Sequence, residues 1–137
     1  MKKLLSILFA VAFIFGCLAM TACGETESLD KAYNKYLKEC TLKNTDGLPT
    51  LTVAMSPDFA PMEFVDLAKS GSNQYVGFDV LLANYIAKEL NMKLLIKPMS
   101  FDACMAAVQS GNADLAISGF SWTAARAETF LITDYYI

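Results

Sequence analysis

The chain has 137 residues, 55% of them hydrophobic, with 11 basic and 14 acidic side chains and no histidine. That length suits one domain, and a net charge of −3 with an isoelectric point near 4.8 argues against a nucleic-acid partner, whose phosphates repel such a surface. Without imidazole there is no histidine-ligated zinc, no Ser-His-Asp triad and no histidine base.

Met1 to Cys23 reads as an export signal: Lys2 and Lys3, an apolar run of 17 residues from Leu4 to Met20, then small residues. The run is barely long enough to span hydrocarbon, and polar sequence instead of a basic stop follows it. A retained anchor is the competing reading. Met20-Thr21-Ala22-Cys23 resembles a bacterial lipobox, which implies that residues 1–22 are a signal peptide, that Cys23 is acylated and that residues 23–28 are a lipidated tether. Buried acyl methylenes at about 0.8 kcal/mol each then hold the domain at the outer face of the membrane. Loss of Lys2 and Lys3 leaves 9 basic against 14 acidic side chains, a net charge of −5. Cys40 and Cys104 remain, either as a disulfide or as two buried small hydrophobes on apolar helix faces.

Residues 29–48 read as a helix and linker. Ser28 is placed to cap the helix, and Leu29, Ala32, Tyr33, Tyr36, Leu37 and Cys40 recur at steps of three and four. Leu51 to Met55 reads as a buried strand. The prolines at 57 and 61 make the next stretch a stiff loop. Met62 to Val65 and Tyr75 to Phe78 form the arms of a hairpin around a turn from Lys69 to Gln74. Asp79 suits the N-cap of a helix running to Asn91. A strand from Lys93 to Lys97 follows, then a helix carrying Phe101, Cys104, Met105 and Val108 that Gly111 closes, and an apolar strand from Asp114 to Ser118. Thr123 caps a last short helix before an extended segment from Asp134 to Ile137. The alternation is an α/β plan with a mostly parallel sheet and flanking helices, occupying residues 49–137. The abrupt end at Ile137 suggests a truncated product.

Arg126 is the only arginine. Its planar fork grips a carboxylate through two parallel bonds, which lysine cannot imitate. It follows Ser118, Gly119 and Ser121 where a strand gives way to a helix, the place where open α/β sheets hold ligands. The competing role is an ion pair with Glu128 or Asp134. Phe59, in the proline-bounded loop, and Phe101, opening a helix, are candidates to sandwich a ligand or to fill the core. Asp79, Asp102 and Asp114 read as cap or turn residues. No paired carboxylates, metal cluster, phosphate-cradling glycine loop or cofactor motif is present, so an enzyme is not suggested.

The motifs Ser-Pro-Asp-Phe-Ala-Pro-Met-Glu-Phe (56–64), Gly-Phe-Asp-Val (77–80), Lys-Pro-Met-Ser-Phe (97–101), Asp-Leu-Ala-Ile-Ser-Gly-Phe-Ser-Trp-Thr-Ala-Ala-Arg-Ala-Glu (114–128) and Asp-Tyr-Tyr (134–136) follow in order. Together they resemble the first lobe of the bacterial family 3 extracellular solute-binding proteins, the polar amino-acid receptors of ABC importers. The resemblance implies a type II periplasmic-binding-protein lobe whose second lobe is missing. It further implies a free amino acid as ligand, ABC permease subunits as partners and an extracytoplasmic location. Carried over, Arg126 clamps the α-carboxylate with help from Ser121, the Gly119 backbone receives the α-ammonium, Phe59 and Phe101 flank the side chain, and Ser118 is adjacent. Ser56 stands where relatives that bind basic side chains often carry an acid, which disfavours a long cationic ligand. Leu81 replaces a common acid, and Trp122 replaces a smaller residue. The competing functions are a cyclohexadienyl dehydratase-like enzyme, with Glu63 as the candidate acid, and a sensory input module.

Overall fold

In the computed structural model, which describes residues 28–136, the elements in chain order are α1 (Leu29–Cys40), β1 (Thr50–Met55), β2 (Asp58–Phe59), β3 (Glu63–Val65), β4 (Tyr75–Val76), α2 (Phe78–Glu89), β5 (Lys93–Pro98), α3 (Phe101–Gln109), β6 (Leu115–Ala116) and α4 (Ala124–Ala127). The export signal and Cys23 lie outside the described residues. Among the described residues no helix is long and apolar enough to cross a membrane.

Successive side chains of a strand face opposite ways, and β1 uses both faces. Leu51, Val53 and Met55 join Val80, Ala83 and Ala87 of α2 and Ile117 in one cluster, while Ala54 joins Cys104 and Ala107 of α3 in another. The sheet is parallel in the order β5-β1-β6, with Thr50 opposite Lys93 and Val53 opposite Leu115. Helices therefore cover both faces, as the strand–helix alternation implies. A second, antiparallel sheet runs β2-β3-β4, with Asp58 opposite Phe64 and Phe64 opposite Val76.

Several expectations are corrected. Asp79 is not an N-cap; Gly77 holds that place, and Asp79 lies in the first turn of α2 with its side chain wholly buried. The loop after β1 is less irregular than two prolines suggest, because the chain turns back at Met62 N–H, which donates to Phe59 O at 2.9 Å, and pairs β2 with β3. The expected turn from Lys69 to Gln74 contains a 3-10 helix at Gly71–Gln74. Only Leu115–Ala116 of the expected 114–118 strand is assigned to the sheet. α2 ends at Glu89, not Asn91, which adopts a left-handed φ of 53°. The segment from Asp134 pairs with no strand. Instead it turns Tyr136 onto Phe78, their ring centroids 6.0 Å apart.

The chain divides into two compact units, Met1–Tyr33 and Asn34–Ile137. Of the first, residues 28–33 are the described part, where Ser28 Oγ accepts from Lys31 N–H at 3.3 Å, the cap expected of it. No residue of α1 is fully buried. Within the second unit, Lys88 Nζ donates to Glu39 O at 2.7 Å.

Cys40 and Cys104 are free thiols. Cys104 has no solvent exposure and burial pushes its thiol up to about 11, whereas Cys40 is only half-buried, which corrects the expectation of two buried cysteines. A maleimide is therefore expected to label Cys40 readily and Cys104 only after unfolding, as read by peptide mass mapping, because the thiolate is the reactive form and Cys104 is both protonated and covered. Equal labelling of both in native buffer contradicts this packing.

Candidate ligand site

From β1 the chain leaves to β5 on one side and returns to β6 on the other. The carboxyl ends of β1 and β6 therefore part at a topological switch point, where backbone groups are left free for a ligand. Two serines close the base of this crevice. Ser56 N–H donates to Ser118 Oγ at 2.9 Å, and the Ser118 hydroxyl donates to Glu63 Oε1 at 2.5 Å. Ser118 is buried, so its hydroxyl is already committed to the protein.

Beyond Ser118 the chain turns outward through Gly119, whose φ of 61° is the left-handed region that glycine enters without steric cost. Phe59 lies over this turn, its ring carbons 3.9 Å from where a Gly119 Cβ would stand. Phe120 stacks on Phe101 with ring centroids 4.4 Å apart. Arg126 lies over both rings, its guanidinium carbon 5.7 Å from the Phe101 centroid and 5.8 Å from that of Phe120. Thr123 Oγ1 caps α4 by accepting from Arg126 N–H at 3.2 Å, which fixes where the side chain starts. Arg126 Nη1 donates to Ser121 O at 2.7 Å. Neither Glu128 nor Asp134 pairs with it; among the described residues the ion pair is Lys69–Asp66.

The structure thus brings Phe59, Phe101, Ser118, Gly119, Ser121 and Arg126 to one end of the sheet. Phe59 and Phe101 are exposed, not core residues, at 58% and 36%. Ser121 meets Arg126 through its carbonyl, which leaves its amide and hydroxyl for other partners. Trp122 is more than half exposed on the same loop. Phe120 was missed by sequence reasoning, although its place between Gly119 and Ser121 marked it.

A second missed feature lies beneath. Glu63 and Asp79 are both almost inaccessible. Burial, chiefly, raises Glu63 to about 7, and the neighbouring Asp79 and Asp58 charges add to it while the Ser118 hydroxyl opposes. Burial raises Asp79 as well, against the hydrogen bonds it accepts. Tyr136 Oη donates to Asp79 Oδ1 and Oδ2 at 3.1 and 3.2 Å. Glu63, the candidate acid of an enzyme, therefore faces Ser118 and Asp79 and not the crevice.

Helices on both faces of a parallel sheet, with a cation-bearing loop at the switch point, define a type II periplasmic-binding-protein lobe. Residues 51–137 match the bacterial extracellular solute-binding proteins, family 3, and the chain belongs to that family. It is 32% identical over 136 residues to the arginine-binding extracellular protein ArtP of Bacillus subtilis, covering 99% of this chain and 45% of that protein. It is 53% identical to the L-arginine-bound substrate-binding protein AbpA of Streptococcus pneumoniae, with a TM-score of 0.54 over 58% of this chain and 33% of that one. The arginine-bound domain 1 of the T. maritima protein TmArgBP superposes with a TM-score of 0.53 at 39% identity, over 58% of this chain and 60% of that one. A cyclohexadienyl dehydratase of Pseudomonas aeruginosa is more distant, 27% identical over 105 residues. The chain therefore spans less than half the length of the curated relatives it matches.

Proposed function

We propose that this chain is the amino-acid-receiving lobe of a lipid-anchored extracytoplasmic receptor that delivers its ligand to the permease of an ABC importer. The observation that carries the reading is Arg126: a guanidinium over the Phe101 and Phe120 rings, without an acidic partner, at the carboxyl end of the sheet. Such a cation takes a carboxylate in two parallel bonds, and the rings beneath keep water from one face of the pair. The free amide and hydroxyl of Ser121 add donors to the same carboxylate, Phe59 covers the ligand from the opposite wall, and the Gly119 carbonyl receives the ammonium. Ser118 supports this loop from below. Acylated Cys23 ties the receptor to the membrane.

The burial of Glu63, the candidate acid, under Ser118 supports binding over catalysis. The names of the relatives put L-arginine first among the ligands to test. Asp58, exposed and accepting from Ser56 Oγ at 3.1 Å, places an acid beside the position where Ser56 lacks one. Titrating the chain with each of the twenty amino acids, followed by Trp122 emission and by calorimetry, is expected to give one saturable class. A flat response to all twenty in both measurements overturns the proposal.

A further inference from the structure

Beneath the serines that close the crevice lie two buried carboxyl groups, Glu63 and Asp79. Glu63 Oε2 is buried without a donor from any protein group. The Asp79 carboxyl is its electrostatic neighbour, itself buried and accepting from Tyr136 Oη. Two neighbouring carboxylates this deeply buried repel, and a proton on one of them relieves the repulsion and gives the orphaned Oε2 a bond to make. No lysine or arginine among the described residues pairs with either group.

We propose that Glu63 is a positioning residue for the ligand loop: as the neutral acid it donates from Oε2 to Asp79 while Oε1 grips Ser118, so residues 118–121 keep their ligand-receiving shape only while the two carboxyls share one proton. The chain of contacts is short. Ser118 Oγ joins the loop to Glu63 on β3 and to Ser56 at the end of β1, and Asp79 joins α2 to Tyr136. Strand, hairpin, helix and the closing segment therefore meet at one shared proton beside the Gly119 backbone. Removal of that proton leaves two adjacent buried anions with nothing between them.

The groups facing Glu63 set the sign. Asp79 on α2 and Asp58 on β2 both raise it, and Ser118 opposes. Cys104 on α3 and Tyr136 feel its charge and are themselves held neutral, at about 11 and about 12. No neighbour supplies positive charge. A carboxyl raised in the folded state contributes stability that is complete below its unfolded pKa and is lost as pH rises through about 7.

The inference rests on the binding reading for its affinity readout, and an infrared readout tests it independently. In the wild-type chain near pH 6 we expect the carbonyl stretch of a protonated carboxyl, absent in Glu63→Gln and fading as pH rises. L-arginine affinity is expected to fall about tenfold between about pH 6 and about pH 8 in the wild type and to stay flat in Glu63→Gln, whose amide still donates to Asp79. Glu63→Leu, checked for folding by circular dichroism, is expected to bind more weakly at every pH. No protonated carboxyl band in the wild type, or the wild-type pH profile retained in Glu63→Gln, overturns the proposal. Failure of the wild type to bind any amino acid, with the band present, instead counts against the receptor reading alone.

Discussion

Replacing Arg126 with alanine is expected to weaken amino-acid binding by about 2–4 kcal/mol, roughly thirtyfold to a thousandfold, because a charge-assisted pair of bonds is lost and the ligand's carboxylate is left without its partner. Lysine is expected to recover little. Its point charge cannot form two parallel bonds, and it loses the flat contact that the guanidinium makes with Phe101 and Phe120 at 5.7 and 5.8 Å. The folded state should barely notice. Arg126 is half exposed, and its side chain's one hydrogen bond is to Ser121 O. Calorimetric titration of wild type, Arg126→Ala and Arg126→Lys, beside their thermal melts, separates the two effects. A lysine variant that binds as tightly as the wild type contradicts the clamp.

Gly77→Ala is expected to be the most damaging single methyl in the domain. An added Cβ would stand 2.2 Å from Met62 O, 2.7 Å from Met62 C and 2.8 Å from Pro61 O, at a φ of 125°. All three are backbone atoms, so no rotamer change relieves the clash. Phe78 N–H and Asp79 N–H hold the two segments together by donating to Pro61 O and Met62 O at 3.2 and 2.8 Å. Overpacking costs about 1–3 kcal/mol and the left-handed backbone about 1–3 more. Together, about 4 kcal/mol is a large share of a small domain's stability. Urea unfolding is the measurement, and a midpoint equal to the wild type's shows that this crossing is looser than described.

Gly77 also marks where sequence reading stops. The strand–helix alternation was legible, because Leu51, Val53 and Met55 keep the period of two and Val80, Ala83 and Ala87 keep the helical one. Thr123 and Ser28 were legible as caps for the same local reason. Asp79 was not. An aspartate opening a helix looks like a cap from its neighbours, and only a partner 57 positions away, Tyr136, shows that the carboxylate points inward. Glu63 lay equally hidden, since its partners Ser118 and Asp79 come from other elements. The candidate site was better marked. Arg126, Phe59 and Phe101 stood out by rarity or by place, but the third ring, Phe120, becomes visible as part of the site only once it stacks on Phe101. Local periodicity and capping are written in adjacent residues; carboxyl pairing and ring stacking are written in the tertiary fold.

The most direct test compares L-arginine with agmatine, the same side chain and amine without the α-carboxylate, in wild type and Arg126→Ala. The wild-type chain is predicted to favour arginine strongly, and Arg126→Ala is predicted to bind both with the same low affinity, since the group that tells them apart has been removed. Equal preference for arginine in both proteins means that another residue holds the carboxylate and that the role given to Arg126 is wrong.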